Sequence, residues 1–202
     1  MQETEVKFYV RDLKGIKTHL EKLDAHLVQE RVLETNVRFD LPGDRLRVEG
    51  RVLRLRQDSA VRLTYKGASK NEQGVLSREE IEFVVEDFEK AKQFLEALGY
   101  QKLLYYEKYR TTYELNETLI MLDELPYGNF VEIEGEHTAS LRAAADQLHL
   151  NWETAAARSY SSLFERVRET LNLSFQDLSF ANFVDMKVAA SDLGVHAADS
   201  ET

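Results

Sequence analysis

The sequence predicts an α+β protein in which an antiparallel β-sheet closes into a barrel, with helices packed on its outside. First, charged residues recur two apart in five short segments with apolar neighbours, for example Glu3-Thr4-Glu5-Val6-Lys7-Phe8. Because alternate residues of a strand point to opposite faces, each segment predicts a strand with one charged and one apolar face. Second, several of these strands precede segments with helical spacing of apolar residues, which can cover the apolar faces.

The first half of the chain predicts two strand-to-helix units with further strands between them. Residues 3–10 predict a strand and residues 12–26 a helix, which Asp12 can cap. A second helix is predicted over residues 88–98, with Asp87 as its cap and Gly99 as its end. Further strands are predicted near residues 32–40, 45–49, 51–57, 61–67 and 76–85.

The second half predicts three more strands and two helices. The strands lie near residues 102–114, 118–123 and 129–135, and the helices near 138–149 and 153–171. Glycine and proline favour turns at 67–74 and 125–129. Trp152, the single tryptophan, is expected to pack in the core or on the surface.

Two units of different character are expected: a domain over residues 1–173 and a C-terminal extension over residues 174–202. Residues 185–202 are small and polar, so we expect them to be mobile. The side chains that could dock the extension on the domain are Phe175, Leu178, Phe180 and Phe183.

The strand-to-helix unit repeats at an offset of 75 residues. Glu5, Phe8 and Asp12 of the first unit correspond to Glu80, Phe83 and Asp87 of the second. The stretch 132–148 is a fainter third copy. The repeat is too short for a solenoid and predicts pseudo-symmetric parts of one sheet or barrel.

Composition excludes several classes of function. The chain has 202 residues, no cysteine and a formal net charge of −10, so disulfides, thiolate metal sites and a cysteine nucleophile are excluded. The negative charge argues against binding to a nucleic acid polymer. No apolar run approaches membrane-spanning length and no signal-peptide pattern opens the sequence, so we expect a cytoplasmic protein without membrane association. Anion binding would require basic residues concentrated locally.

The charged strand faces have two interpretations: solvated sheet surfaces, or the lining of one polar lumen. A single strand favours the solvated surface. Five such strands, with apolar opposite faces, favour the lumen of a closed barrel. The acids on these faces are Glu3, Glu5, Glu80, Glu82, Asp123, Glu132 and Glu134, and the bases are Lys7, Arg54, Arg56, Lys66, Lys108 and Arg110.

Such a lumen suits a polyanion with a bound metal. Carboxylate oxygens bind hard cations such as Mg²⁺ or Mn²⁺. Lysine and arginine bind phosphate oxygens, and arginine offers two donors at once. The chain has no glycine-rich phosphate loop, so we expect side chains to hold the phosphates.

The ordered motifs resemble those of the CYTH superfamily, also called triphosphate tunnel metalloenzymes. The motifs are Glu3-Thr4-Glu5-Val6-Lys7, Leu53-Arg54-Leu55-Arg56, Leu63-Thr64-Tyr65-Lys66-Gly67, Arg78-Glu79-Glu80-Ile81-Glu82, Glu107-Lys108-Tyr109-Arg110, Leu122-Asp123 through Glu132-Ile133-Glu134, and Ser159-Tyr160. The resemblance covers roughly residues 1–170. It implies an eight-stranded antiparallel barrel, open as a tunnel, that binds triphosphate compounds with a divalent metal. Class IV adenylyl cyclases, thiamine triphosphatases and inorganic triphosphatases are members.

The resemblance also implies roles for individual residues. Glu80 and Glu82 are second-site metal ligands or partners of the bases, and Arg158 is either a phosphate ligand or a solvated helix charge. Lys7 or Glu5 orients or deprotonates the attacking water. The implied metal ligands are Glu3, Glu5, Asp123, Glu132 and Glu134. The implied triphosphate ligands are Lys7, Arg54, Arg56, Lys66, Arg78, Lys108 and Arg110.

Three functions follow from this resemblance. We favour a metal-dependent triphosphatase, because binding any triphosphate needs only the clamp of bases. A class IV adenylyl cyclase and a catalytically silent triphosphate sensor are the alternatives, and the protein is expected to be a monomer or a homodimer. Some family triphosphatases pair the motif lysine with a tyrosine on the second strand, but no tyrosine occurs between Tyr9 and Tyr65.

Overall fold

The computed structural model describes residues 2–72, 75–156 and 158–199, with the backbone alone for Gln2, Glu3, Asn71, Glu72 and Leu76. The strands are β1 (Gln2–Val10), β2 (His26–Asp40), β3 (Val52–Gln57), β4 (Val61–Lys66), β5 (Lys70–Glu72), β6 (Val75–Val85), β7 (Gln101–Leu115), β8 (Thr118–Leu125) and β9 (Gly128–Gly135). The helices are α1 (Leu13–Lys22), α2 (Arg45–Val48), α3 (Phe88–Ala97), α4 (Thr138–Gln147), α5 (Tyr160–Thr170) and α6 (Ala190–Leu193). Short 3₁₀ turns span Trp152–Thr154 and Phe180–Phe183.

Eight antiparallel strands close into a ring, which confirms the predicted fold class. Their order is β1, β9, β8, β7, β2, β3, β4 and β6, and β6 returns to β1. The closing pair runs from Gln2 opposite Glu79 to Glu5 opposite Leu76. Within the described residues, β5 pairs only with β6 and extends that hairpin.

Helices cover the outer face of the ring on two sides. Val6 and Phe8 of β1 are fully buried in a core shared with α1 and α4, whose contributions include Leu20 and Leu141. Trp152 joins this core, with its ring 5.9 Å from that of Phe8, as the core-packing interpretation predicted. On the other side, α3 packs Leu95 against a separate core built on β2 and β3.

Helix α5 packs on the inner face of the ring at one end. Strand alternation points Tyr106, Leu125 and Phe130 to the same face as the charged residues of β7, β8 and β9. These three side chains are buried together with Leu163 and Phe164 of α5. The lumen is therefore apolar where α5 enters and charged beyond it.

The predicted helix starts at Asp12 and Asp87 are confirmed. The Asp12 carboxylate accepts from the N–H of Gly15, and that of Asp87 from the N–H of Lys90. Both contacts satisfy N–H groups that have no partner within the helix. Gly99 follows α3 with φ of 90°, a conformation that favours glycine.

Three local predictions are wrong. The turn predicted over 67–74 contains β5 (Lys70–Glu72), and residues 73–74 lie outside the described part of the chain. The segment 45–49 forms α2 instead of a strand, because the buried Asp40 carboxylate accepts from the N–H groups of Leu46 (2.8 Å) and Arg47 (2.9 Å) and nucleates a helical turn. The helix predicted over 153–171 is divided into a 3₁₀ turn and α5. Ser159 caps α5 by accepting from the N–H of Ser162, so Arg158 precedes the helix.

The C-terminal extension packs against the domain along its described length, to Asp199, whereas we expected residues 185–202 to be mobile. Leu178 and Leu193 are fully buried against α5. The N–H of Ala198 donates to the carbonyl of Tyr9 (2.8 Å), and the Asp199 carboxylate accepts from the N–H of Asp12 (2.7 Å). The extension needs few large residues for this packing, because its small residues fit close to β1.

Of the helices in the described part of the chain, none is long and apolar enough to cross a membrane.

Docking of the extension predicts a stability cost for truncating Leu193. Leu193→Ala should lower the free energy of unfolding by about 2–5 kcal/mol, because the side chain is fully buried. Urea unfolding followed by circular dichroism measures the change. Val184→Ala is the control, since Val184 is 66% exposed and should change stability by less than about 0.5 kcal/mol. Equal stability of the two variants would contradict the docked arrangement.

Candidate functional site

The order of strands gives the lumen an acidic wall and a basic wall. Strands β6, β1 and β9 are neighbours in the ring, and so are β7, β2, β3 and β4. The acidic wall carries Glu80 and Glu82 on β6, Glu5 on β1, and Glu132 and Glu134 on β9. The basic wall carries Lys108 and Arg110 on β7, Arg38 on β2, Arg54 and Arg56 on β3, and Arg62 and Lys66 on β4. Lys7 and Arg78 stand within the acidic wall, and Glu34 within the basic one.

The lumen is a cavity of about 860 Å³ with an excess of positive charge. Thirteen basic and eight acidic side chains of the described residues line it, in a chain whose formal net charge is −10. The basic residues are therefore concentrated locally, as anion binding requires. Side chains provide this field, since the described lining contains no glycine-rich loop.

Lys7 is the centre of the acidic wall. Its Nζ lies 2.8 Å from Glu5 Oε1 and 3.1 Å from Glu132 Oε2, and all three side chains are nearly inaccessible to solvent. Burial alone would lower the pKa of Lys7, but the Glu132 and Glu5 carboxylates outweigh it and raise this pKa above its usual range. Lys7 therefore stays charged, and its ammonium group brings the carboxylates of Glu5 and Glu132 together.

Asp123 of β8 lies behind the cavity lining, and its carboxylate binds two basic side chains and a tyrosine. Its carboxylate accepts from Arg110 at 2.6 Å through both Nε and Nη2, from Lys108 Nζ at 3.1 Å and from Tyr160 Oη at 2.7 Å. The side chain is fully buried and does not line the cavity. With these donors, Asp123 is placed to position Lys108 and Arg110, and its implied role as a metal ligand stays a prediction.

Tyr160 enters the site from the first turn of α5. Its ring lies beneath two ammonium groups, with Lys7 Nζ 5.5 Å and Lys108 Nζ 5.1 Å from the ring centre. Burial and the nearby Asp123 carboxylate raise the pKa of Tyr160 well above its usual range, so the phenol remains a donor. The site thus takes a tyrosine from a late helix, although the second strand supplies none.

Glu34 pairs the basic residues of β3 and β7. Its carboxylate is 3.7 Å from Arg56 Nη1 and 3.7 Å from Lys108 Nζ, and it accepts from Asn36 Nδ2 at 3.0 Å. Burial would raise the pKa of Glu34, but the surrounding cations Lys108 and Arg110 outweigh it and hold this pKa well below its usual range. Glu34 is therefore ionised and serves as a counter-charge within the basic wall.

Glu82 and Glu80 face β3 and β4 across the sheet. Glu82 accepts from Arg56 Nη2 at 3.0 Å and lies 3.6 Å from Arg54 Nη2. Glu80 lies 2.7 Å from Lys66 Nζ. In this structure both acids act as partners of the bases, which was one of their two implied roles.

Most of the predicted site residues converge on one cavity. Arg158 lines its mouth and is exposed. The side chain of Glu3 lies outside the described residues. The predicted residues that line the cavity are Glu5, Lys7, Arg54, Arg56, Lys66, Arg78, Glu80, Glu82, Lys108, Arg110, Glu132, Glu134 and Arg158.

Three inner-face residues of β2 were missed from the sequence: Glu34, Asn36 and Arg38. They follow the same spacing of two as the predicted residues, so the pattern Glu34-Thr35-Asn36-Val37-Arg38 could have revealed them. The motifs of the resemblance do not include this strand. Tyr106 on β7 was also missed, although it continues the alternation of Lys108 and Arg110.

The cavity has the donors and acceptors that a triphosphate with a metal requires. Arg54 and Arg56 each bury an Nε without a hydrogen-bond partner in the described structure, which an anionic ligand could satisfy. Glu5 and Glu132 supply carboxylate oxygens that already converge on one cation. No group of three acidic or histidine ligands occurs among the described residues. A hard cation would therefore complete its coordination with phosphate oxygens and water, as Mg²⁺ does at phosphate sites.

A protein-family model and a relative of known sequence match this chain. A model of the CYTH domain family matches residues 1–160. A Methanocaldococcus jannaschii protein named as a candidate adenylate cyclase is 29% identical over 136 residues, which are 66% of this chain and 77% of that protein.

Solved structures share the fold. A Vibrio parahaemolyticus protein, also named as a candidate adenylate cyclase, matches 81% of this chain and 97% of its own with a TM-score of 0.72 and 23% identity. A Hippeastrum protein, described as a candidate adenylyl cyclase with a dominant triphosphatase activity, matches 81% of this chain and 95% of its own with a TM-score of 0.60 and 18% identity. At these identities the likeness shows the fold.

The lowered pKa of Glu34 predicts a pH dependence of stability. A carboxylate whose pKa is lower in the folded than in the unfolded state stabilises the fold above the unfolded value, about 4.3, and this stabilisation is lost on acidification. The free energy of unfolding of the wild type should therefore fall between about pH 5 and pH 2. The Glu34→Gln variant should be less stable than the wild type at pH 7, but its free energy of unfolding should fall less over this pH range. Urea unfolding at each pH measures both curves. Parallel curves would show that Glu34 does not contribute.

Proposed function

The chain belongs to the CYTH domain family, and we propose that it is a divalent-metal-dependent enzyme that hydrolyses triphosphate compounds, either inorganic triphosphate or a nucleoside triphosphate. One observation carries the proposal. A chain with net charge −10 lines one 860 Å³ cavity with thirteen bases and eight acids of the described residues. A linear polyanion is the ligand that neutralises this lining.

The basic wall binds the phosphates. Arg54, Arg56 and Arg110 offer planar guanidinium donors, and Lys66 and Lys108 offer ammonium donors, from neighbouring strands that fix their spacing. The ion pairs with Glu34 and Asp123 hold Arg56, Lys108 and Arg110 in place before the ligand arrives. Preorganised donors stabilise charge that develops on the transferring and leaving phosphates, since they need no reorganisation during the reaction.

The acidic wall provides the metal site and the water-activating groups. Glu5 and Glu132 would hold Mg²⁺ or Mn²⁺, which neutralises phosphate charge and favours attack by water when bound. Lys7 lies between these carboxylates, so it is placed to donate to a phosphate oxygen or to orient the water. Glu5 is the carboxylate that could accept the proton of that water.

A class IV adenylyl cyclase is the second candidate, and one observation favours it. Val28 and Val32 of β2 and Leu119 and Met121 of β8 form an apolar part of the cavity lining, where a purine could lie. The names of the Methanocaldococcus and Vibrio proteins also point to cyclisation, whereas the statement for the Hippeastrum protein points to hydrolysis. Hydrolysis is preferred because 21 of the 40 described lining residues are charged, which suits phosphates more than a nucleoside.

A substrate panel separates the candidate functions. The purified protein is incubated with tripolyphosphate and with ATP, each with Mg²⁺ or Mn²⁺. Release of orthophosphate is expected, because the clamp requires only the phosphates. Cyclic AMP with pyrophosphate would instead identify a cyclase. Saturable binding without turnover of either compound would leave a triphosphate sensor and contradict hydrolysis.

Removing one carboxylate should abolish activity without unfolding the protein. Glu132→Gln is expected to lower kcat by at least about 100-fold, because the amide cannot supply the anionic oxygen. Arg56→Ala should mainly raise KM. Glu124→Gln is the matched control, since Glu124 pairs with Arg31 outside the lumen. Wild-type kcat in Glu132→Gln, with folding verified by circular dichroism, would refute the metal-site assignment.

A further inference from the structure

We propose that Arg38 is a further substrate-binding residue, which together with Arg54 holds the phosphate group nearest α5. The inference rests on the proposed triphosphate ligand and adds to it a residue that none of the motifs contains. It follows from the position of Arg38 in the ring, from its lack of a carboxylate partner and from the charges around it.

The position of Arg38 is the first part of the evidence. The residue lies on the inner face of β2 and lines the cavity. In the sheet register it stands directly opposite Arg54 of β3 on one side and Leu104 of β7 on the other. Like charges directly opposite each other destabilise a pair of strands. The sheet therefore keeps two guanidinium groups together at a cost.

The partners of Arg38 are the second part. Its Nη1 donates to Ser161 Oγ at 2.5 Å, and its Nε is buried without a hydrogen-bond partner in the described structure. Arg54, Arg56 and Arg110 each have a carboxylate within 4 Å. Arg38 has no such ion pair with any described residue. Among the described residues, a carboxylate partner is therefore missing only at Arg38 of these four arginines.

The charges around Arg38 are the third part of the evidence. Burial is the main cause that lowers the pKa of Arg38. Tyr106 and Glu165 oppose it, and the neighbouring Arg78 and Arg54 lower the pKa by smaller amounts. A buried cation without a paired anion costs several kcal/mol, roughly. A phosphate group accepts two parallel hydrogen bonds from a guanidinium and removes this cost. Ligand binding would then stabilise the two arginines together.

Ser161 gives Arg38 a fixed direction. The serine lies in the first turn of α5, and Arg38 Nη1 donates to its hydroxyl from across the cavity. This contact orients the guanidinium while leaving Nε and the remaining N–H groups for a ligand. Ser161 is therefore a positioning residue, and its loss should matter less than the loss of Arg38.

Binding of tripolyphosphate tests the proposal directly. The affinity is measured by calorimetry on the full chain without added metal, so the result does not depend on turnover. Arg38→Gln should weaken binding roughly 10- to 100-fold, since a charge-assisted hydrogen bond is lost, and Arg38→Lys should retain part of the affinity. Arg31→Gln is the control, because Arg31 lies on the same strand outside the lumen and pairs with Glu124.

Thermal stability separates a binding role from a structural one. Removing an unpaired cation should leave the Tm of the empty Arg38→Gln protein unchanged or raised, while its affinity falls. Wild-type affinity, or a Tm that falls together with the affinity, would overturn the proposal. If the wild type binds tripolyphosphate but does not hydrolyse it after Mg²⁺ or Mn²⁺ is added, hydrolysis is refuted and the affinities still decide the role of Arg38. If the wild type does not bind tripolyphosphate with or without the metal, both proposals fail.

Discussion

The burial of many charges inside a closed sheet is the constraint on which the rest of the structure depends. Each buried ion costs several kcal/mol, roughly, unless a counter-charge lies within contact distance. Asp123 meets this constraint for Lys108 and Arg110, and Lys7 meets it for Glu5 and Glu132. The neighbouring strands must keep their register for these pairs to form, so the same contacts specify the ring and prepare the site.

The ion pairs inside the lumen also determine what the proposed binding would involve. A triphosphate would replace carboxylates as the partner of guanidinium groups such as Arg56, and a metal would replace Lys7 between Glu5 and Glu132. Binding is therefore an exchange of partners, and its free energy is the difference between two sets of ion pairs. Arg38 differs because it has no ion pair with a described residue to give up, so a contact with a phosphate would be gained without an opposing loss.

The sequence predicted the closed sheet and most of the lumen because both depend on local alternation. Glu5, Lys7, Arg54 and Lys108 follow a period of two that any strand must convert into one face. The role of Asp123 could not be read in the same way, because Tyr160 reaches it from a helix 37 residues away. The packed extension likewise depends on partners distant in sequence, such as Asp12 for Asp199. The short helix after Asp40 depends on a nearby but buried carboxylate, which the alternation of residues does not reveal.

The acidic wall is assembled from the three repeated strand-to-helix units. Strands β6, β1 and β9 each precede a helix and lie side by side in the ring. More than forty residues of other structure separate β6 from β9 in the chain. The basic wall comes largely from strands outside this repeat. The two walls are therefore encoded by separate parts of the chain but joined by ion pairs such as Arg56–Glu82 and Lys66–Glu80. Directed evolution of one wall would therefore also change the charge balance of the other.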